Sequence, residues 1–213
     1  MQMAEPLLLI DTDIFIILSA AGLLETVIRL LGFDAEHARR LPALESQLTR
    51  GKGFQQKYPL EVRDAAFDSA RSIPASNERP EDDAILQGLI SCERIDDGEA
   101  LLFALLVERK NWILTTGDKQ AIIALASTPG LHHIRNQVSG RIACLETLLP
   151  ALLREKGIKA IAAAFNPLRS INKTLSVVFS RGAATPEALC REHLDSYLRD
   201  LEKQVGEDFL LKP

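Results

Sequence analysis

Apolar and polar positions alternate between two regimes along this chain. Residues 7–10 are four apolar positions in succession, LLLI; Asp11, Thr12 and Asp13 interrupt them, and apolar character resumes at Ile14. A short unbroken run of this kind predicts a strand buried on both faces, as in a parallel sheet covered by helices. From Ile14 the spacing becomes helical, through Ile17, Leu18, Ala21, Leu24, Val27, Ile28 and Leu31, and Gly32 supplies a C-terminal stop. A second helix is predicted over 34–49, capped by Asp34 and broken or kinked at Pro42, and a short amphipathic one over 60–72. Residues 73–83, IPASNERPEDD, are turn-rich and polar and predict an exposed connection, while 84–92 fits a helix end or a short strand equally.

The pattern sharpens beyond residue 95. Asp96, Asp97, Gly98 and Glu99 precede the apolar stretch ALLFALLVE, and Glu99 falls in the first helical turn, where the dipole favours negative charge. Residues 111–116, NWILTT, predict a short buried strand; Gly117, Asp118 and Lys119 then open a helix over 120–127 that Pro129 and Gly130 end. Strand, acid and helix therefore occur twice, at Asp11 and at Asp118. Open α/β sheets bind ligands outside the carboxyl ends of their strands, so both acids are expected on that edge, with Glu99 able to approach them. The simpler role for an aspartate at such a place is to cap the helix that follows.

Composition narrows the class without changing the picture. The chain has 213 residues, 46% hydrophobic and 25% charged, which describes an ordinary globular protein with one good core, or one domain and an appendage. A formal charge of −4 argues against holding nucleic acid by bulk electrostatics but leaves room for a local basic groove. Cys92, Cys144 and Cys190 are far apart and odd in number, without metal-ligand spacing, and predict reduced, mostly buried thiols. The first apolar run is broken by acids and has no basic flank, so neither a targeting segment nor a membrane span is expected, and the expected location is cytoplasmic.

In the order of its motifs the chain resembles the PIN domain family. The resemblance rests on the apolar strand ending in Asp11 with Thr12, on DDGEA at 96–100 and on LTTGDK at 114–119, and it covers residues 6–148. It implies a three-layer α/β/α domain over 1–150 with a small central parallel sheet, followed by a helical C-terminal extension over 151–213. It further implies a metal-dependent ribonuclease that hydrolyses phosphodiester bonds of single-stranded RNA. On that resemblance Asp11, Glu99 and Asp118 are the catalytic, metal-binding acids, supported by Asp13, Thr12, Asp97 and by Thr115 or Thr116. A further family acid, from a helix between the first strand and the third acid, has no unique match here: Glu25, Glu45, Glu61 and Asp64 compete for it.

The chemistry suits carboxylates, since they are hard donors for Mg²⁺ or Mn²⁺, whose retained waters supply a nucleophile. Two such ions can clamp the attacking and leaving oxygens of a phosphodiester. No histidine is needed, and the adjacent His132 and His133 read as structural or exposed. Basic residues gather over 39–63 and 154–181; Arg39, Arg40, Lys52 and Lys119 are the expected RNA contacts, against the simpler reading of solvated helix faces. Residues 186–205 predict an amphipathic helix capped by Thr185, with Leu189, Leu194, Tyr197, Leu198 and Leu201 on its apolar face, suited to covering the sheet edge, touching RNA, or joining a second copy or a regulatory protein. Two other functions fit less of the pattern. One is a PIN-like module that binds or scaffolds without cleaving. The other is a phosphatase, because DTD at a strand end resembles the haloacid dehalogenase pattern, with Asp11 as nucleophile and Asp13 as acid, although Ile14 and Phe15 stand where glycine and threonine are expected.

Overall fold

A computed structural model of the chain describes residues 5–213. Its centre is a sheet of four short parallel strands, β1 (Leu8–Ile10), β2 (Ala38–Arg40), β3 (Ile113–Thr116) and β4 (Ile142–Cys144), in the order β2-β1-β3-β4. Leu8 and Ile10 enter one apolar cluster and Leu9 the other, so β1 is covered on both faces, which is why its sequence has no polar position. After β1 the chain crosses to one flank to form β2 and later to the other flank to form β3. That reversal falls between β1 and β3, and the carboxyl ends of strands at such a reversal are where open α/β sheets place their sites.

Thirteen helices surround the sheet among the described residues: α1 (Thr12–Ala20), α2 (Leu24–Leu30), α3 (Leu44–Arg50), α4 (Lys52–Lys57), α5 (Leu60–Ala70), α6 (Asp83–Ile90), α7 (Asp97–Glu108), α8 (Lys119–Ser127), α9 (His132–Val138), α10 (Leu145–Lys156), α11 (Ile158–Phe165), α12 (Lys173–Val178) and α13 (Glu187–Val205). The single helix expected after the first strand is split into α1 and α2 by a turn at Gly22, whose φ of 65° favours glycine. Helical spacing survives the break because both halves bury their apolar residues in the same cluster. The ambiguous residues 84–92 lie mostly in α6.

The helix expected over 34–49 is corrected in its first half. Asp34 does cap, but what it caps is a single 3-10 turn, Ala35–His37, and the chain then enters β2 before α3 begins beyond Pro42. Pairing of Leu8 with Ala38 and of Ile10 with Arg40 overrides the local preference, and Arg40 Nε donates to the carbonyls of Ala70 (3.2 Å) and Ile73 (2.9 Å), which holds the strand in place. One other local expectation also changes. Pro186, not Thr185, stands at the N-cap of α13, and the Thr185 hydroxyl accepts from the Arg181 amide at 2.9 Å instead. His132 and His133 open α9 and are exposed, in keeping with the sequence.

Residues beyond 150 build into the same core. Leu152, Ile161, Phe165, Leu175, Phe179 and Leu194 share a cluster with Leu8 and Ile14, and α10 itself runs through residue 150. The C-terminal strand-like stretch closes the β4 edge: Gly140 N donates to Phe209 O at 2.9 Å and Leu211 N to Ile142 O at 2.8 Å. Covering that edge removes a row of unpaired amides and carbonyls, and it is the chain after α13, not the helix itself, that does so. The three cysteines are free, Cys144 and Cys190 buried and Cys92 partly so. Among the described residues no helix is long and apolar enough to cross a membrane.

Candidate active site

Asp11 leaves the sheet directly after β1, where its amide donates to Thr115 O on β3 at 2.9 Å. Its side chain is 8% exposed. Oδ1 accepts from the Thr12 amide at 2.6 Å and Oδ2 from the Thr116 hydroxyl at 3.0 Å. The same Thr116 oxygen accepts from the Asp118 amide at 3.1 Å, so one buried hydroxyl joins the first acid to the turn that carries the second. Thr115 points its hydroxyl at Leu9 O, 3.5 Å away. Gly117 in that turn lies against the start of α1, where a Cβ would make ordinary contact with the Asp13 Cβ at 3.5 Å. The Thr12 hydroxyl is buried without a hydrogen-bond partner.

Both aspartates cap, as their positions allow. Asp11 opens α1, and Asp118 Oδ1 opens α8 by accepting from Gln120 N (2.6 Å) and Ala121 N (3.0 Å). Glu99, also 8% exposed, forms a capping box: Asp96 Oδ1 accepts from Glu99 N at 2.8 Å while Glu99 Oε2 accepts from Asp96 N at 3.0 Å. Glu99 Oε1 and Asp118 Oδ2 make no hydrogen bond among the described residues. In EDTA Asp118→Ala is accordingly expected to cost about 1 kcal/mol, while Asp118→Asn, an equally good cap, stays within a few tenths. Urea titrations of both variants in EDTA check this; an alanine variant as stable as the parent would remove the capping role.

The field at this edge shows that the acids are neighbours. Burial first, and then the charges of Asp118, Asp96 and Asp11, raise the Glu99 carboxyl from 4.5 to about 8 against the opposing bond from the Asp96 amide. Burial first, and then Asp13, raise Asp11 from 3.8 to about 6, although Thr116 and the Thr12 amide favour its charged form. Asp13 is itself held from α4: it forms an ion pair with Lys57 and accepts from the Tyr58 hydroxyl at 2.8 Å. Burial and that carboxylate keep the tyrosine hydroxyl protonated well above its usual range.

Asp96 is the acid that reasoning from the sequence overlooked. Its signal was the D-x-x-E spacing of a capping box, which puts Asp96 and Glu99 side by side at one helix start. The four competitors for the further acid lie elsewhere: Glu45 pairs with Arg40, and Glu25, Glu61 and Asp64 are exposed on α2 and α5. Asp97, expected to support the site, is exposed on the first turn of α7.

Carboxylate oxygens are the right donors for Mg²⁺ or Mn²⁺. Their arrangement is a shared edge and not a closed ligand set: among the described residues no three His, Cys, Asp or Glu side chains are gathered as an ion would require. The reason is visible in the hydrogen bonds, since Asp11, Glu99 and Asp118 each direct one oxygen at a helix amide. Asp11, with both oxygens engaged, would have to release one to ligate, whereas Glu99 Oε1 and Asp118 Oδ2 accept no hydrogen bond among the described residues.

The basic residues sort unevenly. Arg40 is 7% exposed and spent on Ala70, Ile73 and Glu45, so it supports β2. Lys119 points into the protein: Nζ lies 2.8 Å from both Glu146 Oε1 and Thr174 Oγ1, and 5.0 Å from the centre of the Tyr197 ring. Arg39 donates to the carbonyls of Glu36 (2.6 Å) and Ala38 (2.9 Å), and Lys52 is exposed at the start of α4. The partners of Lys119 lie 27 and 55 residues further along the chain, beyond the reach of any local pattern. Compared with family models, curated proteins and solved structures, the chain matches none of them.

Proposed function

We propose that the acidic edge at the carboxyl ends of β1 and β3 is a divalent-metal site, and that the protein hydrolyses phosphodiester bonds of single-stranded RNA there. The observation that carries the reading is the burial of two carboxyls, Asp11 and Glu99, brought by separate elements to one edge of the sheet, where burial and the neighbouring acids raise the proton affinity of both. Uncompensated acids are costly in such a place, and a hard dication relieves burial and repulsion together. Perturbed carboxyls in a cleft are a common mark of a functional centre. Asp11, Glu99 and Asp118 would hold Mg²⁺ or Mn²⁺, with Asp96 and Asp13 adding negative charge. When bound, the ion would activate a water and neutralise charge on the phosphate. The protein's own share is orientation: Thr116 fixes Asp11 relative to the Asp118 turn, and the Asp96 capping box fixes Glu99. Three free thiols suit a reducing compartment such as the cytoplasm.

A second reading has its own support. Asp11 and Asp118 already serve as caps, and no closed set of ligands is present among the described residues, which fits a PIN-like module that binds without cleaving. The phosphatase reading gains nothing, because Asp13, its acid, is held by Lys57 and Tyr58. Incubating the purified protein with a labelled single-stranded RNA separates the readings. Cleavage in Mn²⁺ that stops in EDTA, with a melting temperature that rises on adding Mn²⁺, is the expected result. Intact RNA and a melting temperature indifferent to Mn²⁺ would sink the nuclease reading.

A further inference from the structure

Six basic residues lie between 39 and 63, and one of them is tied to the acidic edge. Arg40 and Arg63 are spent on main-chain carbonyls, Arg63 donating to Tyr58 O (3.2 Å) and Leu48 O (3.1 Å). Arg50 and Lys52 are exposed, and Arg39 bonds its own strand entry. Lys57, in the last turn of α4, pairs with Asp13, whose charge raises Asp11 and whose Cβ faces Gly117.

We infer that Lys57 is a substrate-binding residue that receives a backbone phosphate of a single-stranded nucleic acid lying across the acids; this rests on the nuclease reading above. The first argument is charge. A phosphodiester approaching five carboxylates is repelled, and a cation fixed at their border offsets that repulsion at the point of entry. The second is donor count. An ammonium has three N–H donors, and among the described residues Asp13 is its one hydrogen-bonding partner, so Lys57 can keep Asp13 and still donate to a phosphate oxygen. The third is preorganisation. Asp13 anchors the ammonium, the Tyr58 hydroxyl anchors Asp13 from the adjacent residue, and the ammonium rests 5.0 Å from the Tyr58 ring centre. A lysine already held in place loses less freedom on binding than a free one. Its side chain remains 48% exposed, so a ligand can reach it.

The test is fluorescence anisotropy of a labelled single-stranded RNA with Ca²⁺ in place of Mn²⁺, titrated over a range of KCl, for the parent, Lys57→Met and Lys57→Arg. Lys57→Met is expected to bind roughly fivefold more weakly, with a plot of log Kd against log salt shallower by about 0.7, the contribution of one phosphate contact on a single strand. Lys57→Arg keeps the charge and is expected to restore most of the slope, which a purely structural lysine would not require. If Lys57→Met binds with the parent's affinity and slope while the parent still cleaves RNA in Mn²⁺, the inference is overturned and the nuclease reading stands. If the parent neither binds nor cleaves, both fall.

Discussion

Glu99→Gln is expected to remove the largest part of the pH dependence of stability at the acidic edge and to remove metal-dependent cleavage. The amide keeps the capping box, because glutamine accepts from the Asp96 amide as glutamate does. What it removes is a carboxyl whose folded value is raised from 4.5 to about 8. Between those values the folded protein binds a proton that the unfolded chain does not, so the parent's stability is fully present below pH 4.5 and falls as the pH rises through 8. The variant lacks that slope. In EDTA the two should melt together near pH 5, and by pH 9 the variant should be more stable by about 2 to 3 kcal/mol. Divalent ion should invert the ranking. At about a hundred times its dissociation constant it stabilises the parent by roughly 2.7 kcal/mol, most of which the variant forgoes. Metal binding then releases a proton, so parent cleavage should increase from pH 6 to 8, while the variant loses at least about a hundredfold, a few kcal/mol of stabilisation. Parallel stability curves from pH 5 to 9, with equal responses to Mn²⁺, would show that Glu99 is only half of a capping box.

Lys119→Met should be the most damaging single change to the fold near this edge. Glu146, 2% exposed in the first turn of α10, accepts from Lys119 at 2.8 Å and from Thr174 at 2.6 Å. The lysine thereby ties α8 to α10, and through Thr174 and Tyr197 to α12 and α13. Removing the ammonium leaves a buried carboxylate with the Thr174 hydroxyl and the weakly donating Cys144 thiol for compensation, a situation that costs roughly 3 to 5 kcal/mol. Against a total stability of about 5 to 15 kcal/mol this is a large fraction, a fall in melting temperature on the order of 10 °C. The double variant Lys119→Met with Glu146→Gln should recover about half or more, since the penalty lies in the unpaired charge and not in the missing bond. A loss under 1 kcal/mol for Lys119→Met, or no recovery in the double variant, would mean that water reaches Glu146 and the pair is screened.

The sequence by itself determined the elements whose signals are local. LLLI before Asp11 needed only its lack of polar positions to read as a doubly covered strand, and the acid-rich start of α7 and the strand–acid–helix pattern at Thr116–Asp118 were legible because capping and burial act within a few residues. That Asp11 and Asp118 leave on one edge also followed, because parallel strands all end on the same side. Tertiary structure alone decided what depends on distant partners. Residues 38–40 became a strand because β1 offered an open edge, against a local pattern that reads as helix. Arg40 and Lys119 turned inward because Ala70, Ile73, Glu146 and Thr174 reach them from 27 to 55 residues away. The field that raises Glu99, and the place of Asp96 and Lys57 within it, come from burial and charges summed over α1, α4, α7 and α8. Periodicity is a property of neighbours in sequence, whereas desolvation and Coulomb interaction depend on neighbours in space, and those exist only once the chain has folded.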